Sequence, residues 1–167
     1  FVLAAAALKA VPKMVERFKT GDGLGWHEHD ADLFCGTELF FRPGYNAHLV
    51  SSWIPALEGV EDKLKAGAKV ADVGCGEGWS SIAMALAYPH AHVDGYDIDV
   101  PSVTAARLHA EGKGVSDRAR FHVEDLSDAS IPGTYDLVTA FECIHDMSDP
   151  VAALRAMDRL HLEGLMT

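Results

Sequence analysis

The fold is decided by Val70-Ala71-Asp72-Val73-Gly74-Cys75-Gly76-Glu77-Gly78-Trp79. A mostly apolar run leads into glycine at three alternate positions, and a helix-forming segment follows directly. Glycine at such positions lets the backbone turn sharply and lets a ligand lie against the main chain. The stretch therefore predicts a buried strand, a ligand-binding turn and the helix after it.

Short apolar strands alternate with helices around this stretch. We predict strands at 69–73, 92–96, 120–123 and 136–141, and helices at 79–88, 101–111 and 149–160. Strands separated by helical crossovers form a parallel sheet with helices on both faces. The predicted fold class is therefore α/β, with a Rossmann-like, mostly parallel sheet.

The residues before the sheet have a different sequence pattern, which predicts helices without strands. Residues 1–19 predict a helix that Pro12 kinks or splits in two, and further helices are expected at about 45–54 and 58–66. We therefore divide the chain into an N-terminal helical appendage, 1–57, that serves as a lid or dimerisation segment, and a ligand-binding domain, 58–167.

Composition excludes several classes of partner. Among 167 residues, Lys and Arg number 14 and Asp and Glu number 25, which gives a formal net charge of −11. A surface this acidic repels phosphate backbones, so we expect no nucleic-acid partner. No apolar run approaches the roughly 20 residues of a membrane helix. Three cysteines without a CxxC pair fit a reducing compartment, so we expect a cytoplasmic protein.

The glycine turn is compatible with two nucleotide ligands. A dinucleotide site has the pattern G-x-G-x-x-G, but its third glycine would fall at Trp79. The observed pattern is G-x-G-x-G with Asp72 two residues before it. That carboxylate would repel a phosphate and suits a ligand with an ammonium group.

Four segments in order resemble class I S-adenosylmethionine-dependent methyltransferases. They are Asp72–Gly78 (DVGCGEG), His92–Asp97 (HVDGYD), Arg120–Leu126 (RFHVEDL) and Tyr135–Glu142 (YDLVTAFE). The resemblance covers about residues 58–160. It implies S-adenosylmethionine as cofactor and S-adenosylhomocysteine as product.

The resemblance also implies cofactor contacts. Asp97 would accept hydrogen bonds from both ribose hydroxyls, and Asp125 from the adenine amino group. Ile98 and Leu126 would enclose the purine faces. The methionine part would pass the turn, so the remaining expected contacts are Asp72, Gly74, Cys75, Gly76, Gly78 and Phe141.

The acceptor side lies after the fourth strand, at Glu142-Cys143-Ile144-His145-Asp146. Histidine can accept a proton near neutral pH, so His145 is the candidate general base; the alternative is a histidine that buttresses the loop. Asp146 is a second acid or a loop cap. Glu142 is the second catalytic candidate, although contact with the cofactor's methionine end fits it as well.

The cluster Trp26-His27-Glu28-His29-Asp30 precedes the sheet. Imidazole and carboxylate can ligate zinc or iron, but a mobile lid over the acceptor is the interpretation we favour, and we predict no metal site. Tyr45 and Trp53 can supply flat walls for a planar acceptor. The N-terminal helices offer an apolar surface for a homodimer.

The family's sheet has seven strands, and only four are found here. After the helix at 149–160, the family continues with a turn and a fifth strand, which we do not find in the remaining residues; we therefore expect an open apolar edge.

The predicted function is methyl transfer from S-adenosylmethionine to a small organic acceptor. The alternative is a regulatory module that binds the cofactor without catalysis. A nicotinamide-dependent oxidoreductase is disfavoured by Trp79.

Overall fold

The computed structural model describes residues 1–126, 131 and 133–161. These residues form two compact units, Phe1–Gly44 and Tyr45–Thr167. Residues 45–57, which we predicted to belong to the N-terminal segment, thus lie in the same unit as the sheet. The physical reason is apolar burial, because Leu49 and Ile54 are buried in one cluster with Val70 of the first strand.

The first unit consists of two helices and a short connection: α1 Val2–Thr20, a single 3₁₀ turn at Trp26–Glu28, and α2 Ala31–Gly44. Pro12 lies inside α1 and does not split it. The helices approach closely at Gly36, where a Cβ would lie 2.6 Å from the backbone nitrogen of Leu3. Lys9 contacts the carboxylates of Asp30 and Asp32 at 3.1 and 2.7 Å.

The second unit begins with a π-helix, which is a rare element often found near functional sites. Its elements are the π-helix Tyr45–Trp53, α3 Val60–Ala66, β1 Lys69–Val73, α4 Trp79–Ala87, β2 His92–Asp97, α5 Val100–Gly112, β3 Ala119–Val123, β4 Leu137–Ala140, a 3₁₀ turn Ile144–Asp146, and α6 Pro150–Leu160. The predicted strands and helices are therefore confirmed to within one or two residues at each end.

The four strands are parallel and lie in the order β3-β2-β1-β4. The chain leaves β1 toward β2 on one side and later returns to β4 on the other. This reversal creates a crevice beyond the carboxyl ends of β1 and β4, which is where open α/β sheets bind ligands. The glycine turn follows β1, and Phe141–Met147 follows β4.

Each face of the sheet is covered by its own apolar cluster. Val70 and Val93 lie in the cluster with α4 and α5, whereas Ala71 and Val73 lie in the cluster with α6. This alternation is the period of two expected of a strand buried on both faces. The α/β fold class is confirmed.

Beyond α6 the chain returns to the sheet. His161 forms a parallel bridge with Tyr135, just before β4 begins. Residues 162–167, where we expect no fifth strand, lie outside the described residues. Within the described part of the chain, no helix combines the length and the apolarity needed to cross a bilayer.

Candidate functional site

The glycine turn is tied to the end of β2 by a carboxylate. The amide of Gly76 donates a hydrogen bond of 2.8 Å to Oδ2 of Asp97, and the amides of Gly74 and Cys75 donate to the carbonyl of Tyr96. The turn after β1 and the end of β2 are thus fixed relative to each other. A ligand that contacts the turn therefore also meets Asp97.

The three glycines of the turn have left-handed backbone conformations, but only one faces open space. A Cβ on Gly76 (φ +52°) would meet no heavy atom within 4 Å. A Cβ on Gly74 would lie 2.5 Å from Cβ of Cys143, and one on Gly78 would lie 2.6 Å from the ring of Phe121. The room that Gly74 and Gly78 leave is therefore taken by protein, contrary to the expectation that all three clear room for a ligand.

Asp72 has a structural position instead of the ligand contact that we expected. Its carboxylate is fully buried. Oδ2 accepts hydrogen bonds of 2.6 Å from Ser80 and from Ser81, and Oδ1 accepts one of 2.9 Å from Thr139. Burial raises the pKa of Asp72, and the three hydroxyls oppose that shift. A side chain without accessible surface cannot face a ligand's ammonium group, so this expectation is wrong; Asp72 joins β1 to α4 and β4.

Cys75 is buried as well, and burial raises the pKa of its thiol well above the ordinary value. Its side chain therefore fills space beside the sheet, and any ligand contact of Cys75 is through its main chain. All three cysteines of the chain are free thiols.

Asp97 lies at the end of β2, beside the glycine turn. Oδ1 accepts from the amide of Asp99 at 2.9 Å, and Oδ2 accepts from Gly76, so one acceptor site on each oxygen is used by a backbone amide. Burial raises the pKa of Asp97, and the backbone amides of Asp99, Gly76 and Ile98 oppose that shift. Because a carboxylate oxygen can accept two hydrogen bonds, Asp97 keeps acceptor capacity for a pair of ligand hydroxyls.

The predicted adenine contacts follow the ends of β2 and β3, and some of them are exposed whereas one is buried. Ile98 is 67% exposed, and the side chain of Asp125 is exposed. Leu126 is only 4% exposed and packs in the cluster under α6, so it is not available to enclose a purine face as we expected. Val123, which pairs with Asp97 across β2 and β3 and is 39% exposed, offers that apolar surface instead.

The segment after β4 presents the predicted catalytic side chains. Glu142 has φ +54°, and it is the one non-glycine residue of the described chain in the left-handed region. Such backbone strain is concentrated at functional sites. His145 and Asp146 are exposed, and His145 Nε2 lies 3.6 Å from Asp146 Oδ2. The exposed ring of His145 does not support the alternative that it buttresses the loop.

Three aromatic rings meet beside this segment. The ring centroids of Tyr45 and Phe141 are 5.5 Å apart, and those of Trp53 and Phe141 are 6.2 Å apart and nearly parallel. Burial and the nearby carboxylates of Asp72 and Glu142 raise the pKa of Tyr45 to about 12. The three residues, which we call the aromatic cluster, place flat apolar surface next to the candidate catalytic side chains.

The cluster Trp26–Asp30 lies in the first unit and is held there by ion pairs. Glu28 accepts from Arg17 at 2.7 Å and from the Gly25 amide at 2.8 Å. These bonds lower the pKa of Glu28. Over the residues that the structure describes, no group of three or more metal-ligating side chains is assembled.

The sequence analysis missed the residues that hold Asp72 and pack against the glycine turn. Ser80, Ser81 and Thr139 hold Asp72, and Phe121 packs under Gly78 and Gly95. One signal was present, because two serines in the first turn of α4 follow closely on Asp72, the acid one residue before the end of β1. Phe121 had no such signal, since its contacts depend on how β3 packs under α4.

The residues present fit S-adenosylmethionine. The open space over Gly76 is a cradle that a Cβ would fill, and Asp97 beside it keeps acceptor capacity for two neighbouring ribose hydroxyls. Exposed Ile98 and Val123 supply apolar surface for a purine next to Asp97.

Comparisons with known proteins show the family of the chain. Residues 64–165 match the sequence model of a family described as a methyltransferase domain. A ubiquinone biosynthesis O-methyltransferase of Pseudomonas aeruginosa is 35% identical over 76% of this chain and 52% of its own length. Its counterpart from Xanthomonas euvesicatoria is 43% identical over 65% of this chain and 45% of its own length.

A solved structure shares the fold. Magnesium protoporphyrin IX methyltransferase from Synechocystis, determined with bound S-adenosylmethionine, is 26% identical, with a TM-score of 0.59 over 87% of this chain and 64% of that one. The chain spans about half the length of the curated relatives it matches. From the fold, the glycine turn and these matches, we conclude that the chain belongs to the methyltransferase-domain family of the class I, S-adenosylmethionine-dependent type.

Proposed function

We propose that this protein transfers a methyl group from S-adenosylmethionine to an oxygen atom of a small organic acceptor. The observation that carries the proposal is the open space at Gly76 beside the Asp97 carboxylate, where the turn after β1 meets the end of β2. The curated relatives are named O-methyltransferases, which supports oxygen as the acceptor atom.

The cofactor contacts follow from the exposed groups. Asp97 accepts from the ribose hydroxyls, Asp125 accepts from the adenine amino group, and Ile98 with Val123 covers the purine. The main chain at Gly76, with its neighbours Gly74, Cys75 and Gly78 in the turn, and the side chain of Phe141 would hold the methionine part. The side chain of Asp72 makes no cofactor contact; it supports the turn by joining β1 to α4 and β4.

Bound S-adenosylmethionine supplies a methyl group on a positively charged sulfur and leaves as a neutral thioether. The protein's part is to orient the acceptor oxygen toward the methyl carbon and to exclude water. As the oxygen–carbon bond forms and the carbon–sulfur bond breaks, the acceptor hydroxyl loses a proton. The imidazole of His145 takes that proton, and the carboxylate of Asp146 at 3.6 Å stabilises the resulting cation.

Asp97→Ala tests the cofactor site. We expect S-adenosylhomocysteine to bind at least about tenfold more weakly, because each lost hydrogen bond to a charged acceptor is worth about 1.5–3 kcal/mol. Titration calorimetry measures the affinity. Asp117→Ala, at a side chain 70% exposed, is the matched control and should bind as the wild type does.

Unchanged binding by Asp97→Ala would remove Asp97 from the site. Binding of S-adenosylhomocysteine without any product from a broad panel of hydroxyl acceptors would favour the alternative function, a module that binds the cofactor without catalysis.

His145→Ala tests the proton transfer. We expect the turnover number to fall by about 10²–10⁴, the usual range for loss of a general base, while the affinity for S-adenosylhomocysteine stays the same. His145→Gln, which keeps a polar side chain but takes no proton, should be equally slow. If the glutamine variant keeps wild-type turnover and the wild-type dependence of rate on pH, His145 is not the base.

The exposed apolar residues of α1 bear on the question of partners. Helix α1 exposes Leu8, Val11, Val15 and Phe18 on one side. A homodimer through the N-terminal helices stays a prediction, and sedimentation at micromolar concentration tests it: a mass near 18.0 kDa would contradict it for this chain.

A further inference from the structure

The glycine turn is held from two sides. Its first half, 74–76, is tied to the end of β2 by three backbone amides. Its second half, Glu77 and Gly78, lies against α5. A Cβ on Gly78 would lie 2.9 Å from the methyl group of Ala106, and His109 lies one turn further along the same face of that helix. The turn therefore depends on α5 as well as on β2.

His109 donates a hydrogen bond to the turn. Its Nδ1 lies 3.1 Å from the carbonyl oxygen of Glu77. A carbonyl oxygen can only accept, so Nδ1 carries the proton in this contact. The imidazole packs on the indole of Trp79, the residue at which the dinucleotide pattern has its third glycine; the two ring centroids are 4.5 Å apart and the planes are 30° apart. The ring of His109 and its donor are therefore held in one orientation.

The peptide unit that joins Glu77 to Gly78 is bonded at both ends. Its carbonyl oxygen accepts from His109, and its amide, on Gly78, donates a bond of 2.9 Å to the carbonyl of Cys75. Because a peptide unit is planar, bonds at its two ends set its orientation. Without the bond from His109 this unit can rotate, since glycine at 78 tolerates a wide range of backbone conformations. His109 therefore restricts the turn beside the open space at Gly76.

We propose that His109 is a positioning residue for cofactor binding: by holding the Glu77 carbonyl, it keeps the glycine turn in the arrangement that receives S-adenosylmethionine. The inference rests on the proposed function, which places the methionine part of the cofactor at Gly76. A turn that is already held in its binding arrangement loses little freedom when the ligand binds. A mobile turn must be ordered at that moment, which weakens the measured affinity. His109 thus acts through the main chain of the turn and touches neither cofactor nor acceptor.

Two substitutions separate the hydrogen bond from the packed ring. His109→Asn keeps a donor without the ring, because the amide nitrogen of asparagine is the same number of bonds from Cα as Nδ1 of histidine. His109→Phe keeps a ring beside Trp79 without a donor. Calorimetry measures the affinity of the purified protein for S-adenosylhomocysteine. We expect His109→Phe to bind about fivefold more weakly, the factor for loss of one neutral hydrogen bond, and His109→Asn to stay within about twofold of the wild type.

Hydrogen–deuterium exchange measures the order of the turn directly, with no ligand added. The amides of Gly76 and Gly78 are hydrogen-bonded, so a peptide that covers the turn should exchange slowly in the wild type and in His109→Asn. In His109→Phe the same peptide should exchange about fivefold faster, whereas peptides from β1 and β4 should exchange as in the wild type. A role limited to overall stability would speed exchange in those strands as well.

Val115→Ala is the control for stability. Val115 is 1% exposed and lies between α5 and β3, at the edge of the sheet opposite the turn. Loss of its two buried methyl groups should lower the unfolding temperature, while the affinity for S-adenosylhomocysteine stays as in the wild type. If His109→Phe does not fold, His109→Leu takes its place, because leucine is smaller and also lacks a donor; the expected values are the same.

The outcomes are distinguishable from failure of the proposed function. If the variant without a donor binds S-adenosylhomocysteine as the wild type does, or if His109→Asn binds as weakly as that variant, the role of the hydrogen bond is overturned while the cofactor site stands. Unchanged exchange of the turn peptide in the variant without a donor overturns it as well. If the wild type itself does not bind S-adenosylhomocysteine, the proposed function fails, and this inference fails with it.

Discussion

Gly76→Val is expected to weaken S-adenosylhomocysteine binding at least about a hundredfold while the protein stays folded. The new side chain would enter the open space where we place the cofactor, because no protein atom lies within 4 Å of the added Cβ. The fold should survive with a loss of about 1–3 kcal/mol, the cost of a β-branched residue at φ +52°. Calorimetry gives the affinity, and thermal unfolding followed by circular dichroism gives the stability.

Gly78→Val is the matched comparison within the same turn. Its backbone is also left-handed, but the added Cβ would lie 2.6 Å from the ring of Phe121 and 2.9 Å from Ala106. We expect this variant to lose much more stability than Gly76→Val, because the ring is held in the core. If Gly76→Val binds S-adenosylhomocysteine as the wild type does, the cofactor does not lie over the turn, and the site must be sought elsewhere.

The sheet could be predicted from the sequence because its signals are local. The run Val70–Val73, the glycines after it and the helix that follows are read within ten residues, and the observed β1 and α4 begin where the pattern places them. Asp97 was also predictable, since a carboxylate at the end of β2 must lie beside the turn after β1 when the two strands are parallel neighbours.

The predictions that were wrong depended on contacts that form only when the chain is folded. Whether Asp72 faces a ligand or three hydroxyls depends on Thr139, which is 67 residues away and becomes a neighbour only when β4 pairs with β1. Leu126 looks like a purine contact in sequence, but packing under α6 buries it. The π-helix at Tyr45–Trp53 has no reliable sequence signal. Its packing in the same unit as the sheet was therefore not predictable, and neither was the boundary between the two units.

Asp72→Ala is expected to lower the free energy of unfolding by about 2–4 kcal/mol. The substitution removes the acceptor of Ser80, Ser81 and Thr139 together and leaves buried hydroxyls without their partner, which costs more than loss of a surface contact. Urea unfolding measures the change. Ser81→Ala, which removes one donor, should cost about 1–1.5 kcal/mol, and Asp117→Ala, at an exposed side chain, should stay within about 0.5 kcal/mol of the wild type.

The pH dependence of the stability of Asp72→Asn tests whether burial raises the pKa of the Asp72 carboxyl. Burial raises the pKa of Asp72 in the folded state, so between the ordinary carboxyl pKa and the raised value the folded state binds more protons than the unfolded chain. Its contribution to stability is then complete below the ordinary pKa and is lost as the pH rises through the raised one. Because asparagine does not titrate, the stability gap between wild type and Asp72→Asn should narrow as the pH rises above the ordinary carboxyl pKa of about 4. A gap that widens over this range would mean that the three hydroxyls outweigh burial and hold the pKa of Asp72 below its ordinary value.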